Sequence, residues 1–167
     1  MKLTIITQIS VDGVMQGNGP SEVDRKAGFE RDVIDPGSDP IADAFNTKPK
    51  YLASSNLTEP QWTNTTVLSG DLAAAVKALK ADSVGELQVH GSGDLVRWLL
   101  DNDLVDELDL LVFPVVVGQG TRLFPDTGPD LALDLVESRA FPKGITLQVY
   151  RPTGRPQYAS AAAEPST

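Results

Sequence analysis

The chain has 167 residues, 41% of them apolar, and a mean hydropathy of −0.13, which is the composition of one globular domain rather than of a disordered or membrane-spanning chain. It contains no cysteine and one histidine, His90, which excludes disulfides, thiolate catalysis, iron–sulfur clusters, cysteine-ligated zinc and any multi-histidine metal site. A formal net charge of −9 with no concentrated basic patch argues against nucleic acid or an anionic membrane as partner, while leaving room for a small anion bound locally at a helix N-terminus.

Residues 2–10 (Lys-Leu-Thr-Ile-Ile-Thr-Gln-Ile-Ser) alternate apolar and polar, predicting a first strand rather than a secretory leader. No stretch approaches the roughly 18–20 apolar residues of a membrane helix, so a cytoplasmic protein is expected. From Val11 to about Lys26 the density of Gly, Asp, Asn and Pro predicts a long loop, and residues 28–40 have too little periodicity for any element. Asp39 as N-cap and Pro40 in the first position predict a short helix over 41–46. Short strands follow at 50–53 and 64–68. Asp71 caps a helix reaching about Lys80, with Leu72, Ala75, Val76 and Leu79 on one face.

Glu86–His90 reads as a strand, Gly91-Ser92-Gly93 as a turn, and Asp94–Asp101 as a helix carrying Leu95, Val96, Leu99 and Leu100. Leu104 to Val117 predicts a long apolar strand broken near Pro114, followed by a tight Gly118-Gln119-Gly120 loop. Leu131–Arg139 and Gly144–Arg151 predict two closing strands joined by a Pro-Lys-Gly turn, and the tail from Arg155 is expected to fray. This order predicts a three-layer α/β/α sandwich with a mostly parallel central sheet and a C-terminal antiparallel pair, in one domain over 1–154 with a flexible tail at 155–167. Ligands of such sheets bind at the carboxyl ends of the strands.

The run from Leu87 to Val96 joins a strand, a glycine turn and a helix start, where close backbone approach, free amides and the helix dipole suit a phosphate. It lacks the third glycine of a dinucleotide fingerprint, since Val96 stands there, and it comes late in the chain. A plain strand-to-helix turn is the competing reading. Gly118-Gln119-Gly120 and Ser10-Val11-Asp12-Gly13 follow two other strands and reach the same sheet edge. Asp12 can orient a substrate or pass a proton through water, but Asp-Gly is also an ordinary turn pair. His90 reads as a structural residue, the acidic run Asp101, Asp103, Asp106, Glu107 and Asp109 as a solvated face, and Trp62 and Trp98 as core or interface anchors.

Several segments together resemble the dihydrofolate-reductase-like family that includes the reductase domain of bacterial riboflavin biosynthesis, the RibD C-terminal family. They are Gln8–Met15, Pro49–Ser54, Trp62–Leu68, and the long run from Leu87 through Gly91-Ser92-Gly93 and Leu104–Leu108 to Pro114–Phe124. The resemblance implies an NADPH-dependent reductase that passes hydride to a small heterocycle, like 5-amino-6-(5-phosphoribosylamino)uracil or a pterin, with the protein mainly orienting the cofactor and excluding water. On that implication Gly91, Ser92, Gly93 and Leu95 line the pyrophosphate turn, and Ser54 and Ser55 lie near the adenosine ribose and its 2′-phosphate. Ser10, Asp12 and Gly13 border the nicotinamide and substrate, Asp12 being the candidate catalytic residue, and Gly118 and Gly120 border the substrate side.

The resemblance, with the apolar run Leu108–Val117, also implies a homodimer. One departure stands out: after Gly28-Phe29-Glu30 about forty residues of the family pattern are absent, which removes a helix and an inner strand and leaves sheet edges exposed. The alternative is therefore a non-catalytic relative that binds a nucleotide or a partner chain.

Overall fold

The structure, a computed structural model, describes residues 1–16, 40–82, 85–90 and 93–158. Its centre is a five-stranded sheet in the order β5 (Glu86–His90), β1 (Lys2–Ser10), β6 (Glu107–Phe113), β9 (Thr146–Pro152), β8 (Leu133–Ala140). Strands β5, β1 and β6 run parallel, and β9 and β8 close the sheet antiparallel. The predicted parallel sheet with a C-terminal antiparallel pair is the one found.

The alternation in β1 sets which side faces the main core. Leu3, Ile5, Thr7 and Ile9 are buried on one face, with Leu108 and Leu110 of β6 beside them. Helix α2 (Leu72–Asp82) brings Val76 to this face, and helix α3 (Gly93–Asp101) brings Val96 and Leu99. The α2 start is capped as expected: the Asp71 carboxylate accepts the Ala74 amide at 3.0 Å. Register puts His90 on the opposite face, level with Ile6. There helix α1 (Pro40–Thr47) sets Phe45 edge-on to the His90 ring, with centroids 5.3 Å apart. Helices therefore flank both faces of the sheet. Among the described residues no helix is long and apolar enough to cross a membrane.

Several expectations are corrected. Strand β6 covers only Glu107–Phe113 of the predicted 104–117. At its start Asp103 adopts a left-handed φ of 54°, and the Leu104 and Asp103 amides turn back to the Leu99 and Leu100 carbonyls. Leu104 and Val105 are thus apolar because they plug the core beneath the α3 terminus. At its end Pro114 has no amide and Val115 N–H turns back to Phe113 O, so the chain leaves the sheet. Strand β6 is the middle of five, so its apolarity is explained by the core and gives no support to a dimer contact.

The predicted loop from Val11 contains strand β2 (Val14–Gln16), paired antiparallel with β7 (Thr121–Arg122); such short strands show no alternation. The acidic run is not one solvated face. Glu107 is buried and ion-paired to Lys2 at 2.5 Å, and Asp106 accepts the Leu3 amide at 2.7 Å and pairs with Lys80. Trp98 packs against the core, but Trp62 is 51% exposed. Arg155 and Tyr158 bond to Asp130, which ties down the first residues of the tail.

Strands β3 (Lys50–Ala53) and β4 (Thr65–Leu68) form a separate parallel pair. The outer edge of β5 pairs with no strand among the described residues. The expected departure after Glu30, and the predicted Asp39 cap, lie outside the described residues.

Leu108 is fully buried and Leu135 is 56% exposed. Leu108→Ala should cost about 2–5 kcal/mol by loss of transfer energy and creation of a cavity, whereas Leu135→Ala should stay within about 0.5 kcal/mol. Urea unfolding checks both; similar midpoints for the two variants would contradict this core.

Candidate functional site

The carboxyl ends of β1 and β6 are held together by one carboxylate. Ser10 is fully buried; its hydroxyl accepts the Val14 amide at 3.0 Å and donates to Asp12 Oδ1 at 2.6 Å. Asp12 also accepts the Val117 amide at 3.1 Å and the Gly118 amide at 2.8 Å. Arg122 donates from Nε to the Asp12 carbonyl at 3.1 Å, and its Nη2 lies 4.0 Å from the carboxylate. The backbone adds Val11 N–H to Val115 O, Gly13 N–H to Ser10 O and Leu123 N–H to Gly13 O. Three stretches of chain, 10–14, 115–118 and 122–123, are thus stitched into one rim.

The electrostatics follow from these donors. The Ser10 hydroxyl, then the Gly118 and Val117 amides, hold the Asp12 carboxyl down from 3.8 to about 2. At neutral pH Asp12 is an ionised anchor accepting three hydrogen bonds, an arrangement that suits orientation better than proton donation. Gly13 and Gly118 have φ of 78° and 79°, where side chains are strained, and a Cβ built on either meets nothing within 4 Å. Among the described residues the rim is therefore open above both glycines.

Helix α3 starts beside this rim. A Cβ on Gly93 would come within 2.8 Å of Met15 Sδ and 2.9 Å of Arg97 Nη1, so glycine here lets the first turn pack against β2. Arg97 in turn donates to the Arg122 carbonyl at 3.2 Å and pairs with Asp94. Leu95 packs its side chain against the core. Gly91 and Ser92 lie outside the described residues.

The structure brings Ser10, Asp12, Gly13 and Gly118 together, with Gly120 two residues beyond at φ 129°. Ser54 and Ser55 stand apart, after β3. The Ser54 hydroxyl accepts the Asn56 and Leu57 amides, Ser55 donates to Asn56, and no bond among the described residues links either to the Asp12 cluster. His90 bonds Gln88 at 3.2 Å, and burial pushes its pKa down against the opposing pull of Glu86, consistent with a structural role. Reasoning from sequence missed Arg122 and Met15. Both lie in strands too short for a periodic signal, and their partners are distant in the chain.

Residues 37–147, about two-thirds of the chain, match the RibD C-terminal domain family. The chain belongs to that family. Gly93, Val117, Gly118 and Arg122 fall inside the matched span, while Ser10 and Asp12 precede it. Two Bacillus subtilis (strain 168) proteins of uncharacterised function are similar: YyaP is 30% identical over 110 residues, covering 65% of this chain, and YwjB is 24% identical over 107 residues, covering 64%. The matches span less than two-thirds of either relative, 57% of YyaP and 62% of YwjB.

Solved structures share the fold, which is dihydrofolate-reductase-like. A protein of Shewanella sp. PV-4 named for riboflavin biosynthesis superposes with a TM-score of 0.67 at 19% identity, covering 92% of this chain and 99% of its own. A pyrimidine reductase-like protein of Corynebacterium diphtheriae gives 0.58 at 15% identity, covering 90% and 91%. The riboflavin biosynthesis reductase of Saccharomyces cerevisiae gives 0.52 at 13%, covering 91% and 88%.

Because the folded pKa of Asp12 is depressed from 3.8 to about 2, its stabilising contribution is complete above pH 3.8 and is lost as pH falls through about 2. Asp12→Asn should therefore lower the urea midpoint by a constant amount from neutral pH down to about pH 4, with the gap closing below that. A gap independent of pH down to pH 2 would show that the carboxylate charge does not hold this rim.

Proposed function

We propose that this RibD C-terminal domain is an NADPH-dependent reductase that transfers hydride to a small heterocyclic substrate of the pyrimidine or pterin kind. The observation that carries the proposal is the Asp12-centred rim at the carboxyl ends of β1 and β6, with the α3 N-terminus beside it, in a chain of this family.

The donors present fit such a cofactor in kind. The N-terminus of α3 offers amides and a positive dipole end to an anion. At Gly13 and Gly118 no described side chain stands over the backbone, which leaves room for a flat ring to lie against the rim. Bound there, NADPH supplies the hydride. The chain's own part is orientation: Asp12 fixes the 117–118 amides against the 10–13 turn, Arg122 braces that turn from behind, and Ser10 sets the Asp12 rotamer. In this scheme Asp12 is a positioning residue.

A second reading, a non-catalytic relative, draws support from the separation of the β3–β4 pair from the main sheet. Fluorescence titration of the folded protein separates the two. We expect NADPH to bind in the micromolar range and NADH about tenfold more weakly, with Asp12→Ala weakening NADPH about tenfold while circular dichroism is unchanged. Folded protein that binds neither cofactor supports the non-catalytic relative.

A homodimer is also proposed, with β8 as its contact. Leu135 and Val136 are exposed on this edge strand, at a register shift between Leu135 and Glu137, and Phe141 is exposed directly after it. Sedimentation should give twice the chain mass; a monomer at micromolar concentration removes this assembly.

A further inference from the structure

Between β7 and β8 the chain runs beside α3, and the two leave a cavity of about 480 Å³, a size that suits a small organic ligand. None of Ser10, Asp12, Gly13 and Gly118 lines it. Its apolar part is Leu100 of α3 with Phe124 and Leu131 from the connection. Phe124 is 44% exposed, although it directly follows the fully buried Leu123. Prolines at 125 and 129 restrict the connection, so less ordering is lost when a ligand enters.

The charges around this cavity do not balance. Four carboxylates line it, those of Asp101, Asp103, Asp126 and Asp130, against the two guanidiniums of Arg97 and Arg155. Both guanidiniums are engaged, Arg97 with Asp94 and the Arg122 carbonyl, Arg155 with Asp130. Asp126 has one distant partner, Arg122 at 3.9 Å. Among the described residues, the Asp101 and Asp103 carboxylates have neither an ion pair nor a hydrogen bond. Their position adds to the imbalance. Asp101 is the last residue of α3, whose last turn holds no basic side chain, so an acid stands at the negative end of the helix dipole. Asp103 is fixed beside that end by its left-handed φ of 54° and by its amide, which bonds the Leu100 carbonyl.

A cation relieves this arrangement, and an anion is repelled by it. A bound metal ion fits poorly, since no group of three or more ligating side chains among the described residues could hold one. The apolar part of the cavity, next to the unmatched carboxylates, calls instead for a ligand with an apolar body and a positive charge. We propose that the cavity between α3 and the 124–131 connection binds a small organic cation, a protonated amine on an aromatic body. The body rests on Leu100, Phe124 and Leu131, and the ammonium turns toward Asp101 and Asp103. The ring of Phe124 in the same cavity attracts an ammonium in its own right. This site does not rest on the reductase reading.

The test is titration of the full chain with 2-phenylethylammonium, followed by amide chemical shifts and by calorimetry. The neutral isostere 2-phenylethanol and the anion phenylacetate serve as controls. The amine should bind saturably, shift amides around Leu100 and Phe124, and bind about tenfold or more tightly than the alcohol, with phenylacetate not binding. Asp101→Asn with Asp103→Asn should weaken the amine about tenfold and leave the alcohol unchanged, and Phe124→Ala should weaken both ligands. All these side chains are exposed or half-buried, so circular dichroism should show folded variants. Added salt should weaken the amine and not the alcohol.

Folded protein whose amides near the cavity do not shift at millimolar amine overturns the site. Amine binding that survives the double Asp variant unchanged overturns the role given to the two carboxylates. Shifts that never saturate and do not depend on Phe124 show loose pairing with surface acids, which also overturns the site. A self-associating chain that dissociates in the double Asp variant, with no binding of the amine, assigns the cavity to a second copy instead of a small ligand.

Discussion

Parallel strands end at the same edge of a sheet, and their following loops must satisfy backbone amides there without ladder partners. In this protein the carboxylate of Asp12 meets that need for Val117 and Gly118, 105 and 106 residues away in the chain, while the buried Ser10 hydroxyl donates to the oxygen that also takes the Val117 amide. A charged acceptor suits the task because its hydrogen bonds are stronger than neutral ones and it accepts several donors at once. The rest of the rim follows. With the 10–13 turn fixed, β2 is aimed at β7, Met15 reaches the first turn of α3, and the backbone at Gly13 and Gly118 is left open.

Long elements were legible in the sequence because their periodicity reports burial. Strand β1 alternates, α2 and α3 carry apolar stripes, and the C-terminal pair is joined through the expected turn at Pro142–Gly144. The Asp71 cap could be read because its chemistry is local. What escaped depends on partners far along the chain. Glu107 looks like one more surface acid until Lys2 and Arg151 are placed beside it. Leu104 and Val105 look like strand residues until the left-handed Asp103 shows that they close a helix. Of the candidate site, the loops were identified from glycine and strand ends, but the clasp that joins them was not, since nothing near Asp12 in sequence announces Val117, Gly118 or Arg122.

The β3–β4 pair raises a separate question of what holds it, because two short strands alone are marginal in water. The Lys50 amide bonds the Asn64 carbonyl at 2.8 Å, and Leu68 packs on the main core through the start of α2. At the other end the pair is tied to α1 by the indole of Trp62 and the amide of Asn64. A tryptophan half in water is thus a brace between α1 and this pair, and its ring also carries the Lys50 ammonium 4.8 Å from its centre. Those two roles do not compete, since the brace uses the indole nitrogen and leaves ring area free.

Charge balance narrows how the proposed reductase would meet an anionic ligand. Arg122 is committed to Asp12 and Asp126, and Arg97 to Asp94 and the Arg122 carbonyl. Those guanidiniums brace the rim and have little charge left to offer. For a phosphate at this rim, as the proposed reductase would require, the α3 dipole is the favourable field close by, in a chain with nine more acidic than basic side chains. A helix terminus does not distinguish one phosphate of a dinucleotide from another, because its field acts on whichever anion reaches its first turn.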